Sequence, residues 1–292
     1  MPVKKDDDGS RSIAAEVEVP GTPEEVWRAI ATGTGVSSWF VPTTIEEHEG
    51  GTTINCFGPG MDSPSTITKW NPPHSFIAES EQEGLGKIAT EWIVETRSGG
   101  TCEVRVVHRW FADTDDWDAQ FEGHAYGWAA SFFRILAMYL EDFAGEDCSA
   151  FQLTAVSQAS GPETWRTIRS ALRGDADDGT VTTAAGVPET VGTEVNLDVT
   201  DPDLLRARET VPHIAAAFEG MEGENPELLL RLKQPVPGFA HIFTMPLGGP
   251  TMVSVRFHLF GTHAAEFVEK YEEAWQAWLD QKFPAPDGEE AV

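Results

Sequence analysis

From Ser12 to Val19 apolar and polar residues alternate, the pattern of a strand with one buried face. The period then changes. Thr22-Pro23-Glu24-Glu25 carries the signals of a helix start: Thr as N-cap, Pro in the first turn, and Glu25 three residues on to close a capping box. Val26, Trp27 and Ile30 form that helix's apolar face, and Gly33 and Gly35 are expected to end it. Val36–Phe40 reads as a short second helix or turn before Pro42. Strand candidates separated by turn residues follow: Thr43–Glu49, Thr52–Phe57, Ser65–Trp70 and His74–Ser80. Lys87–Ser98, Gly-Gly and Thr101–Ala112 read as a long hairpin. From Asp118 to Phe143 the period is helical, with Phe121, Trp128, Phe132, Leu136, Tyr139 and Phe143 on one stripe. An antiparallel sheet with one polar face must cover the other, and this helix is the element long enough to do so. The expected class is α+β, a sheet gripping a helix.

The pattern occurs twice. Strand Phe151–Val156 and the phrase Gly161-Pro162-Glu163-Thr164-Trp165-Arg166 repeat the opening, with Pro23 and Pro162 139 residues apart. Pro73-His74 returns as Pro212-His213 at the same spacing, each before a strand-like run, Ser75–Ser80 and Ile214–Glu219. Each half closes on a long strand and an aromatic helix, the second over Thr251–Phe260 and Ala264–Phe283. The expected organisation is a disordered tail over 1–11, a domain over 12–146, a second over 150–283, and a disordered tail over 284–292. Residues 174–203 are rich in Thr, Ala, Gly and Asp and lack a counterpart of Trp39-Phe40, so the second copy reads as degenerate. Its helix nevertheless keeps Phe267, Tyr271, Trp275 and Trp278 at helical spacing.

Strand parity assigns faces. With Glu103, Arg105 and Arg109 outward, Val104, Val106, His108 and Trp110 point inward. With Glu91, Glu95 and Arg97 outward, Thr90, Trp92 and Val94 point inward. Phe76, Ala78 and Ser80 share the inner face, opposite Glu79 and Glu81. Trp39 and Phe40 add from the short helix, and Phe121, His124, Trp128 and Phe132 from the long one. Taken alone, this cluster is equally an ordinary aromatic core. His108 sits on an apolar face, where a polar group without a partner costs about 1–3 kcal/mol. Thr90 or His124 is its expected partner.

Charge narrows the partners. With 48 acids against 20 bases the net charge is −28, which repels phosphate backbones and anionic lipid surfaces. No nucleic-acid partner is expected. Three scattered cysteines, Cys56, Cys102 and Cys148, make neither a disulfide framework nor a zinc knuckle. The first ten residues contain no apolar signal segment, and Tyr126–Leu140 is interrupted by Ser131 and Arg134, so no membrane insertion and a cytoplasmic location are expected. No dinucleotide fingerprint, phosphate loop or nucleophile elbow occurs. Asp113–Asp116 lacks the Gly and Glu of a calcium loop. Neither a cofactor nor a metal is expected.

The phrase Val17–Val19, Thr22–Ile30 and Trp39-Phe40, together with Trp70-Asn71-Pro72-Pro73-His74, resembles the SRPBCC (START-like) superfamily, in its branch of activators of heat-shock chaperone ATPase. The resemblance covers 12–144 well and 150–283 weakly. It implies a helix-grip fold in two tandem copies, with a cavity between sheet and long helix. Trp39, Phe40, Phe76, Trp92, His108, Trp110, Phe121, His124, Trp128 and Phe132 then become candidate ligand contacts. The implied function is non-enzymatic binding of a small apolar ligand, aromatic or acyl. Two alternatives stand beside it: a module that binds a chaperone or another protein, and a cavity enzyme, cyclase- or hydrolase-like, using His108.

Overall fold

A computed structural model of the chain describes residues 3–5, 10–58, 60–82, 86–110, 131–173, 214–219, 227–232, 236–246 and 249–284. The chain divides into two compact units, Met1–Glu146 and Asp147–Val292.

In the first unit the elements are β1 (Lys4–Lys5), β2 (Arg11–Pro20), α1 (Pro23–Ala31), α2 (Gly33–Ser37), β3 (Thr43–Ile45), β4 (Thr52–Cys56), β5 (Asp62–Asn71), β6 (Ser75–Gln82), β7 (Gly86–Thr96), β8 (Thr101–Trp110) and α3 (Phe133–Asp142). The eight strands form one antiparallel sheet in the order β1-β2-β8-β7-β6-β5-β4-β3. The first long strand therefore pairs with the last. Residues expected to be tail are partly ordered: Lys4–Lys5 pairs with Arg11 and Ser12, and Arg11 opens β2 opposite Trp110. Three consecutive charged-or-polar residues, Ser10, Arg11 and Ser12, are buried there, which composition alone reads as solvated.

α1 starts as its sequence dictates. Thr22 Oγ1 accepts from Glu25 N–H at 3.3 Å, and Glu25 Oε2 accepts from Thr22 N–H at 2.8 Å. The Thr22 N–H and hydroxyl, both donating to the Glu25 carboxylate, hold it below its ordinary pKa. Its end differs from expectation. Gly33 and Gly35 do not stop a helix but build α2, because the Thr32 side chain ends one helix and caps the next, accepting from Gly35 N–H at 3.0 Å. Gly35 is required there by proximity: a Cβ would collide with the carbonyl of Arg28. Gly35→Ala is expected to destabilise the unit by about 1–3 kcal/mol, since the obstructing atom is backbone and cannot rotate away. A thermal melt of the variant checks this, and an unchanged midpoint would refute it.

The second unit comprises β9 (Cys148–Ser157), α4 (Gly161–Arg173), β10 (Ile214–Glu219), β11 (Glu227–Leu232), β12 (Gly238–Pro246), β13 (Thr251–Phe260) and α5 (Ala264–Lys282). Its described strands form an antiparallel sheet in the order β10-β11-β12-β13-β9, again joining first to last. Ser160 and Glu163 repeat the carboxylate half of the exchange between Thr22 and Glu25: Ser160 N–H and Oγ–H donate to Glu163 Oε2 at 3.3 and 2.8 Å, while Glu163 N–H donates to the Ser160 carbonyl at 3.0 Å. The architecture is thus α+β, a helix-grip fold in two tandem copies, each with an aromatic helix on one face of an antiparallel sheet.

The second unit's inner face is filled by its own side chains. Phe151, Phe257, Tyr271, Trp275, Trp278 and Leu279 belong to one buried cluster, with Phe151 stacked on Phe257 at 4.7 Å and Phe257 against Trp275 at 5.1 Å. All four positions that the helical spacing singles out, Phe267, Tyr271, Trp275 and Trp278, are buried in this cluster.

Candidate functional site

In the first unit, the inner face of the sheet carries a chain of aromatic rings. It runs from Trp70 to Trp27 (5.1 Å between centroids), Trp27 to Phe76 (5.9 Å) and Phe76 to Trp92, stacked at 6.4 Å. Trp92 meets Trp39 at 6.3 Å and Phe133 at 6.4 Å. Trp39 continues to Phe40 at 5.7 Å, and Phe40 to Phe57 at 5.8 Å and Phe132 at 4.8 Å. Most pairs are edge-to-face or tilted, the geometry that the ring quadrupole favours. Sheet register explains the centre: Phe76 lies opposite Trp92, and Trp92 opposite Val106, so strand pairing fixes this row.

Four candidate wall residues, Trp39, Phe40, Phe76 and Trp92, are joined in this chain, and Phe132 reaches it from the segment leading into α3. Trp110 lies farther along β8, fully buried opposite Arg11 and Ile88. Phe121, His124 and Trp128 fall outside the described residues. Parity did not single out Trp27, Phe57, Trp70 or Phe133. In the sequence Trp27 reads as helix packing, Phe57 and Trp70 stand near strand ends, and Phe133 sits one step off the helical stripe. The Pro23-to-Trp27 repeat was the available signal for Trp27.

Rings in the chain differ in closure. Trp27, Trp39, Phe40 and Phe76 are buried, whereas Trp92, Phe132, Phe57 and His108 are only half-buried. Trp39 is locked from behind, its indole Nε1–H donating to the Ala29 carbonyl at 2.9 Å. The polar element of the wall is a cross-strand pair: Thr90 lies opposite His108, and Thr90 Oγ1 is 3.1 Å from His108 Nδ1.

The opposite face of the sheet is charged. Arg97 pairs with Glu103 at 2.7 Å and with Glu95 at 3.3 Å, and Lys87 pairs with Glu79. An open depression of about 540 Å³ beside His74, Glu91, Ile93, Glu95 and Arg105 is shallow and has no aromatic wall. The aromatic face is the candidate site, because apolar walls with few polar groups are what hold small molecules.

The second unit has a polar row that its sequence hides. β13 is buried along its whole length, so Ser254, Arg256 and His258 are enclosed on the face opposite Val253, Val255 and Phe257. In alternation such residues read as solvent-facing. His241, 1% exposed, lies opposite Arg256 in the ladder; its Nε2 is 2.8 Å from Glu227 Oε2. Arg256 sits over the Phe243 ring at 4.9 Å. Burial pushes the Arg256 guanidinium down to about 9, so it stays charged at neutral pH, at a cost in desolvation. Burial also lowers the pKa of His241, which the Glu227 carboxylate only partly offsets and Arg256 reinforces. The unfolded chain therefore takes up a proton on this histidine before the folded chain does. Stability contributed here is present above the ordinary histidine value of about 6.5 and is lost as pH falls below it, with a slope of at most about 1.4 kcal/mol per pH unit. Melting the chain and a His241→Gln variant from pH 7.5 to pH 5 checks this. The wild-type midpoint should fall more steeply, and parallel curves would refute the assignment.

Among the described residues no group of His, Cys, Asp and Glu could hold a metal, and no helix is long and apolar enough to cross a membrane. No curated protein matches the chain. Among solved structures, the di-domain ARO/CYC BexL from the BE-7585A biosynthetic pathway is 15% identical, with 94% of this chain and 99% of that chain covered, at a TM-score of 0.42. CalU16 from Micromonospora echinospora is 18% identical over 48% of this chain and 83% of its own, at 0.39. The Aha1 dimer from Colwellia psychrerythraea is 22% identical over 46% and 98%, at 0.38. Residues 10–138, which hold the whole described aromatic chain, match the family described as polyketide cyclase / dehydrase and lipid transport, and the first unit is a domain similar to that family.

Proposed function

We propose that the first unit binds a small, flat, apolar molecule, aromatic or acyl, against a wall whose surface is formed by Trp92 and Phe132 and whose backing is Trp39, Phe40 and Phe76. The observation that carries this reading is the contrast in closure. The rings behind the wall are buried, while Trp92, Phe132 and His108 on its surface stay half-buried. The corresponding face of the second unit is closed by its own Phe257, Trp275 and Trp278. The family description for residues 10–138, with its cyclase, dehydrase and lipid-transport members, supports a ligand of this class.

Native mass spectrometry of the freshly purified full chain, followed by organic extraction, tests the reading directly. A bound mass of a few hundred daltons, lost on denaturation, is expected. Trp92→Ala should weaken retention on the order of tenfold or more, since a stacked aromatic contact adds about 0.5–1.5 kcal/mol beyond the area it buries. A bare polypeptide from several expression hosts, together with unchanged behaviour of Trp92→Ala toward added naphthalene derivatives, would overturn it.

The Thr90–His108 pair favours a second reading, turnover at the wall, because it holds a proton-transferring ring beside the bound molecule. That reading expects His108→Ala to abolish conversion of a bound polyketone while leaving its binding intact.

A further inference from the structure

The outer face of the first sheet matches many of its charges within itself. Lys87 pairs with Glu79, and Arg97 holds Glu103 at 2.7 Å and Glu95 at 3.3 Å. Two opposite charges in the middle of β7 and β8 are left over. Among the described residues Glu91 has no ion-pair partner. Arg105 lies opposite Glu16 on one side and Ile93 on the other, yet its one polar contact is Glu95 Oε1, 3.8 Å from Nη2. That is beyond hydrogen-bond distance, and Glu95 is already shared with Arg97. The Arg105 Nε is enclosed without a hydrogen bond, so the terminal nitrogens are the donors a ligand can reach. Register keeps Glu91 and Arg105 from pairing with each other. They sit on a cross-strand diagonal, about 7–8 Å apart at the backbone, with Ile93 at the corner. Both side chains are long enough to converge over Ile93. These residues line one open depression of about 540 Å³, together with Glu95, His74 and Ser75.

A ligand that satisfies both charges must carry both signs. A simple anion at Arg105 meets Glu91, Glu95 and a chain of net charge −28, and a simple cation at Glu91 meets Arg105. A zwitterion avoids both penalties, and its hydrocarbon part can lie on Ile93. We propose that this depression is a binding site, separate from the aromatic wall, for a small zwitterion with an aliphatic side chain, an α-amino acid being the simplest. The ammonium group sits on the Glu91 carboxylate, the carboxylate on the terminal nitrogens of Arg105, and the side chain on Ile93. The site lies on the other face of the sheet and does not depend on the binding reading above.

Three probes isolate the charges: L-leucine; 4-methylpentanoate, which lacks its ammonium group; and 3-methylbutylamine, which lacks its carboxylate. Each is titrated into the full chain at neutral pH and constant ionic strength and followed by backbone amide chemical shifts. L-leucine should move the signals of Glu91, Ile93 and Arg105. It should bind about two- to fivefold more tightly than either truncated probe, the preference one exposed ion pair provides. Because the depression is open, dissociation constants on the order of millimolar are expected for so small a ligand. Glu91→Gln should bring L-leucine down to the level of 4-methylpentanoate, and Arg105→Gln should bring it down to the level of 3-methylbutylamine. Unmoved signals elsewhere in the sheet show that each variant keeps the fold. Equal affinities for the three probes, shifts scattered over the sheet, or a preference for L-leucine that survives both substitutions overturns the proposal. Tightest binding by 3-methylbutylamine overturns it as well, since the face then acts only as an acidic surface.

Discussion

Trp39→Ala is expected to destabilise the first unit by about 3–5 kcal/mol, the usual cost of truncating a buried Trp. The ring is 1% exposed and touches both Phe40 and Trp92. Its loss removes the buried area, leaves a void between the short helix and the sheet, and strands the Ala29 carbonyl that its Nε1–H serves. Trp39→Phe separates these contributions. It retains most of the ring and loses the hydrogen bond, so it should cost only about 1–2 kcal/mol. At roughly 2–4 °C per kcal/mol for a protein of this size, the Ala variant should melt some 10 °C lower and the Phe variant only a few degrees lower. Calorimetry of both variants is the measurement. Equal shifts would mean that the hydrogen bond, not the packing, is what Trp39 contributes; no shift in either would mean that the aromatic chain is not a structural unit. Because Trp39 stands behind Trp92, the Ala variant should also weaken binding of an aromatic probe, through movement of the wall rather than loss of a direct contact.

Much of this arrangement is legible along the chain, for a simple reason. A strand with one buried face alternates, and Val104, Val106 and Trp110 on one side and Glu103, Arg105 and Arg109 on the other alternate cleanly. Parity therefore places Thr90 and His108 on the same face without knowledge of the turn between them, and cross-strand register then brings them together. Alternation fails where both faces are covered. β13 reads as apolar residues interleaved with Ser254, Arg256 and His258, which suggests a solvated face, yet every one of them is buried. Nothing in a one-dimensional pattern distinguishes water from a second covering layer. Local signals fail differently at Gly33 and Gly35. Two glycines after a helix read as a stop, whereas here a side-chain cap from Thr32 starts a new turn and Gly35 is needed because the Arg28 carbonyl leaves no room for a Cβ. Lys4, Lys5 and Arg11 fail for a third reason: a charged segment pairs as a strand because an edge of the sheet is available to it.

The two copies are expected to respond oppositely to the loss of a wall ring, and Trp275→Ala shows why. Trp275 is 2% exposed, packed between Phe257 at 5.1 Å and Trp278 at 5.6 Å, on the inner face of the second sheet. Truncation should cost about 3–5 kcal/mol, because the surrounding rings are held by strand register and helix spacing and can relax only partly into the space. What remains is an apolar void, and such voids stay dry and accept small apolar guests. Benzene or indole added in excess should therefore raise the melting temperature of Trp275→Ala and leave that of the wild-type second unit unchanged. In the first unit, Trp92→Ala should do the reverse, removing part of the proposed binding surface. If benzene stabilises the second unit of wild type as strongly as it does the variant, that face is not filled, and the distinction between a binding copy and a closed copy falls. If only the variant responds, one ring converts a packed copy of this fold into an open one, and the capacity to bind depends on how many aromatic side chains the terminal helix turns inward rather than on the fold itself.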